Sequence, residues 1–149
     1  MLEWNVKFQE EYKRLDALCK DLFSSKEGIS EYIREMENTP YEYRNLVSGW
    51  DLCYKQLKHM RWMRNQFAHE VGTLNSDLCT YDDILWIRAL YTQILHVCDP
   101  LAIVGKAQRA RTQQNVSPSQ RKYQQANVEY NPPISLWKRI KLAIKKWFQ

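Results

Sequence analysis

Apolar side chains recur at three- and four-residue steps along most of the chain, the period of an α-helix with one buried face. Trp4, Phe8, Tyr12, Leu15, Cys19 and Leu22 form the first stripe, with Glu10, Glu11, Lys13, Arg14 and Asp16 on the other faces. They predict a helix from about Leu2 to Phe23. Ser24-Ser25-Lys26-Glu27-Gly28 breaks it, and Ile29, Tyr32, Ile33 and Met36 mark a short second helix. Thr39-Pro40-Tyr41-Glu42 predicts a third start, with Thr39 as cap, Pro40 at the first helical position and Glu42 completing a capping box. Its pattern runs to about Glu70, with a break or kink allowed at Ser48-Gly49-Trp50-Asp51 and Gly72 as terminator. Thr80 and the acids after it open another helix, striped by Ile84, Ile87, Leu90, Tyr91, Ile94 and Val97. Asp99-Pro100 restarts a short helix to about Lys106, or kinks a longer one.

Past Lys106 the composition changes. Gln, Asn, Ser, Arg and Pro dominate to Pro133, which reads as a flexible linker. Residues 134–149 turn amphipathic again. No segment alternates as a strand does, and no repeat is visible. The expected fold is all-α: an antiparallel bundle of roughly four to five helices over residues 1–105, a linker over 106–133 and a C-terminal helix over 134–149.

Composition sharpens this picture at two points. Of 149 residues 44% are hydrophobic, enough for one core, and 6 Trp and 9 Tyr supply large rings to fill it. The net charge of +5 divides unevenly: residues 1–105 carry 12 basic and 16 acidic side chains, whereas residues 106–149 carry 10 basic side chains and only Glu129 as an acid. A mildly acidic body with a strongly basic tail points to nucleic acid, an anionic membrane or an acidic partner. Cys19, Cys53, Cys79 and Cys98 form no zinc-type spacing and read as buried or half-buried thiols in a reducing compartment. Asp77, Asp82 and Asp83 fit no calcium loop. No metal or other cofactor is expected. No signal-peptide run opens the sequence and no segment is apolar enough to span a bilayer, so the expected location is the cytoplasm.

The chemistry concentrates in Arg64-Asn65-Gln66-Phe67-Ala68-His69. Asn65 and His69 share a helix face, which Arg61 extends. Arg64 and His69 lie about 140° apart on an unbroken helix, so they converge only if the helix ends or bends, or if a second subunit supplies the other half. Arg64 also falls beside Leu57, Met60 and Phe67, where a guanidinium needs an anionic partner. That partner is either a phosphate or an acid such as Asp82 or Asp83. His59 reads as solvated or packed, and His96 as a helix-end residue.

The run Arg-Asn-x-x-x-His, closing a long helix of a small helical chain, resembles the HEPN family. Its members mark their bundles with Arg-x(4–6)-His and a polar residue after the Arg, and many are metal-independent RNases of toxin–antitoxin and antiviral systems. The resemblance implies that Arg64 and His69 are the catalytic pair and that Asn65 orients them or the substrate. It further implies a homodimer with a composite site, RNA as substrate, and an antitoxin or inhibitor protein as partner. Lys58 and Arg61 are then candidate RNA contacts. Some toxin members carry a Tyr two positions after the His, whereas Glu70 and Val71 follow here, so control by nucleotide attachment to such a Tyr is not expected. Metal-free RNA cleavage independently asks for this equipment. The 2′-hydroxyl must lose a proton, the 5′-oxygen must gain one, and a cation must hold the phosphoryl charge. Two facing copies would supply two histidines and two guanidiniums, leaving 2′,3′-cyclic phosphate ends. The alternative is a non-catalytic helical dimerisation or adaptor protein in which Arg64 is a structural ion-pair partner and the C-terminal helix tethers the bundle to a membrane surface or an acidic partner.

In the tail, Leu136, Trp137, Ile140, Ala143, Ile144, Trp147 and Phe148 fall mainly on one side of a helix, and Lys138, Arg139, Lys141, Lys145 and Lys146 fill most of the rest. Such a helix suits an anionic membrane surface, which would place the protein peripherally at the inner face. It also suits RNA or an acidic partner, or docking on the bundle as a last helix.

Overall fold

The computed structural model describes residues 3–69 and 78–114. They form an antiparallel all-α bundle of α1 (Glu3–Phe23), α2 (Ile29–Asn38), α3 (Tyr41–Arg44), α4 (Trp50–His69), α5 (Tyr81–Leu95) and α6 (Pro100–Gln114). The stripes read from the sequence do become the core. Phe8 and Leu15 of α1, Ile29 and Ile33 of α2, Leu57 and Met63 of α4 and Ile84 and Ile87 of α5 are all buried. α1 lies centrally, packing most extensively on α5 and α2, while α4 closes the bundle against α2 and α1.

The α1–α2 turn is fixed by one carboxylate. Asp16 Oδ1 accepts from Ile29 N at 2.9 Å, satisfying an otherwise orphaned donor in the first turn of α2. Its other oxygen pairs with Lys20 Nζ at 2.7 Å. Gly28 passes this carboxylate at φ +53°, and a Cβ there would overlap Asp16 Oδ1. Only glycine meets both demands.

Thr39 does not open a helix. Its backbone is extended, and its Oγ1 donates to Glu35 O at 2.8 Å, ending α2. Pro40 is the N-cap of a single turn, and Glu42 pairs with Arg111 instead of completing a capping box. The predicted helix from Thr39 to Glu70 is therefore two elements. They are divided before Trp50, where Gly49 sits at φ +75°. Thr80 caps α5 as expected: its side chain accepts from Asp83 N, and the Asp83 carboxylate returns the bond. α6 continues to Gln114, beyond the expected linker boundary at Lys106. Its last two turns are exposed and lack an apolar stripe, so helix-forming Lys, Ala, Gln and Arg side chains sustain them. Gly72, the remainder of the linker and the C-terminal segment lie outside the described residues.

α6 is fastened at its start. Asp99 is fully buried and accepts from the Tyr32 hydroxyl at 2.6 Å, and the same carboxylate oxygen accepts from Ala102 N at 3.4 Å. Burial and then the neighbouring Asp99 raise the Tyr32 phenol well above its ordinary value.

Cys19 and Cys79 are buried and Cys53 half-buried, but Cys98 is exposed, because it follows α5 at Val97, a turn residue at φ 57°. Burial and then Asp99 push the Cys53 thiol up to about 12. Its unfolded counterpart ionises sooner, so its contribution to stability is complete below about pH 9 and is lost as pH rises towards 12. At pH 8, iodoacetamide is expected to alkylate Cys98 more than about tenfold faster than Cys53, read by peptide mass spectrometry. Equal rates would contradict the burial of Cys53.

Candidate functional site

α4 (Trp50–His69) displays the Arg64–His69 run on an unbroken stretch of helix. Arg64, Asn65 and His69 are all exposed. Arg64 Nη1 donates to Asn65 Oδ1 at 3.2 Å, so the amide directly after the arginine helps to orient it. The two acids proposed as partners from the sequence do not reach it. Asp83 is engaged by Thr80 and, at 3.2 Å, by Gln56 Nε2, while Asp82 is exposed in the first turn of α5. Arg64 does share a helix sector with Leu57, Met60 and Phe67, yet it lines a surface cleft rather than entering the core.

That cleft, of about 260 Å³, runs between α1 and α4. Gln9, Tyr12, Lys13, Asp16 and Lys20 form its α1 wall, and Arg64 and Ala68 its α4 wall. Tyr12 is buried beneath it, and its phenol is raised above the ordinary value. Burial is the main cause and Asp16 the second, offset in part by Arg64 and Arg61. The phenol therefore stays protonated across the neutral range. Among the described residues no ion pair joins Arg64 or Lys13 to a carboxylate. Sequence reading missed this wall. Its signal was present, because positions 9, 13, 16 and 20 step by four, three and four residues and form a polar stripe on α1.

His69 is not part of the cleft lining. With no bend in α4, it points about 140° away from Arg64, so one protomer does not bring the pair together. His69 instead continues a strip of α4 through the exposed Leu52, Lys55, His59 and Trp62 and the half-buried Gln66, spaced alternately by three and four residues. Trp62 is 50% exposed and Leu52 70%. His59 stacks on Trp62 with ring centroids 5.7 Å apart.

The remaining candidates separate. Arg61 does not extend the polar face freely: its Nη1 lies 3.4 Å from Ser30 Oγ, half-buried towards α2. Lys58 is exposed and lies over the Tyr54 ring at 5.1 Å. His96 ends α5, with Nδ1 2.9 Å from Thr92 O. Trp137, Lys138, Arg139, Lys141, Lys145, Lys146 and Trp147 lie outside the described residues. Among the described residues, no group of His, Cys, Asp and Glu could hold a metal ion, and no helix is long and apolar enough to cross a membrane.

No curated protein and no solved structure matches the chain. Its sequence does match, over residues 6–143, the family described as "Family of unknown function (DUF6548)", and with nearly its whole length covered the chain belongs to that family.

Proposed function

We propose that the protein is a metal-independent endoribonuclease of HEPN type, acting as a homodimer whose composite site is built from Arg64, Asn65 and His69 of two copies. One observation carries the reading. An exposed arginine, hydrogen-bonded by the amide that follows it, stands at a cleft with no carboxylate ion pair among the described residues. Such a guanidinium suits a phosphate. The exposed strip carrying Trp62 also carries His69, so a second copy seated there would cover apolar surface and bring in another histidine.

In this site one His69 removes the proton of the 2′-hydroxyl, which attacks the adjacent phosphorus. The other His69 protonates the departing 5′-oxygen, and the Arg64 side chains hold the charge on the phosphoryl oxygens. A bond to the 2′-oxygen forms as the bond to the 5′-oxygen breaks, leaving a 2′,3′-cyclic phosphate. A toxin or antiviral defence effector restrained by an inhibitor protein is the setting in which such an activity fits.

The opposed directions of Arg64 and His69 within one protomer favour a second reading, a dimerising adaptor that uses the Trp62 strip without chemistry. Purified dimer incubated with single-stranded RNA in EDTA separates the two. Cleavage that leaves cyclic phosphate ends is expected. Intact RNA after prolonged incubation with a folded dimer would favour the adaptor.

A further inference from the structure

The Arg64 cleft is rich in cations for a mildly acidic body. Lys13 and Lys20 enter from α1 and Arg64 from α4, against a single carboxylate, Asp16. That carboxylate is already committed on both oxygens, one to Lys20 Nζ at 2.7 Å and the other to Ile29 N at 2.9 Å. Lys13 and Arg64 are therefore left facing one cleft from two helices with no carboxylate ion pair to either among the described residues. Uncompensated cations brought together repel each other unless an anion joins them. Donors complete the lining: the Gln9 amide, and the Tyr12 hydroxyl that burial keeps protonated.

We infer that the α1–α4 cleft is a phosphate-binding site in which Lys13 and Arg64 grip the anion from opposite walls, Gln9 and Tyr12 lend hydrogen bonds, and Asp16 holds Lys20 in place. Arg64 provides the planar fork for two phosphate oxygens, and Lys13 a mobile point charge for the third. The inference deepens the nuclease reading by giving the substrate a phosphate seat on α1, which makes Lys13 a positioning residue. A phosphate of an RNA chain and a free phosphate present the same oxygens to this cleft.

The test uses the full chain and measures binding without cleavage. The probes are a short 2′-O-methyl oligouridylate, which has no free 2′-hydroxyl to react, and inorganic pyrophosphate, each titrated at low salt. Lys13→Glu is expected to weaken binding by about tenfold or more, and Lys13→Gln by less. Arg109→Glu, an exposed position of α6 that does not line the cleft, is expected to leave binding within about twofold. Loss confined to the oligouridylate assigns the seat to a nucleic-acid phosphate; loss with both probes assigns it to phosphate alone. Equal weakening by Lys13→Glu and Arg109→Glu would show diffuse electrostatics and overturn the site, as would unchanged binding in both Lys13 variants. Should the protein bind through Lys13 yet leave ordinary RNA intact, the nuclease reading fails and the phosphate site stands. If it cleaves RNA while both Lys13 variants bind normally, the reverse holds.

Discussion

His69→Ala is expected to slow RNA cleavage by about 10²–10⁴-fold, the range for losing a positioned proton-transfer group. Arg64→Ala should lose a comparable factor, because the phosphoryl charge is then left to water. Arg64→Lys should recover little of it: an ammonium restores the charge but not the planar fork, nor the bond the guanidinium makes to Asn65. Both side chains are exposed, so the variants should melt close to wild type, which separates a chemical defect from an unfolded one.

Mixing the proteins extends the same experiment to the composite site. A mixed dimer of wild type with Arg64→Ala, His69→Ala chain holds only one histidine, and thus one of the two proton-transfer groups. With a tenfold excess of the inactive chain under exchange conditions, most wild-type chains are paired with a dead partner, and activity should fall by about tenfold. Undiminished activity would mean that each chain works alone. That outcome is hard to reconcile with an unbroken α4 that turns Arg64 and His69 apart.

The second large effect concerns stability. Asp99→Ala is expected to cost about 3 kcal/mol, since it removes the first-turn cap of α6 and strands the Tyr32 hydroxyl in the core. For a domain of this size the melting temperature should drop by on the order of 10–20 °C in thermal denaturation followed by circular dichroism. Tyr32→Phe should cost less, because Asp99 keeps its bond from Ala102 N. A melting point for Asp99→Ala within about 2 °C of wild type would show that this latch contributes little.

Which parts of the structure were legible in the sequence follows from how locally each was encoded. α1, α2 and α5 carry their own stripes and stop signals, and Thr80 with Asp83 announces its cap outright. The division between α3 and α4 was only half visible. Apolar spacing continues across it, and what separates the two is Gly49 at positive φ. The extent of α6 was underestimated because residues 106–114 have helix-forming side chains but no apolar face to show a period. At the candidate site, the Arg-Asn-x-x-x-His run was legible and the exposure of Arg64 was not. Its sector on α4 is apolar, and only the tertiary placement of α1 turns that position into a cleft edge. Lys13 and Gln9 were hidden for the same reason: a polar stripe on one helix gains meaning only from what stands opposite.

The three uses of α4 have a consequence for how the chain tolerates change. One side of the helix fills the core, a second lines the cleft through Arg64 and Ala68, and a third is the exposed Trp62 strip that the proposed dimer would cover. In that dimer neutral drift would have little room on α4, whereas the solvent-facing last turns of α6 would absorb many replacements. Sequence variability should therefore follow the number of neighbours a helix answers to rather than its depth in the bundle, with partly exposed α4 held as tightly as interior α1.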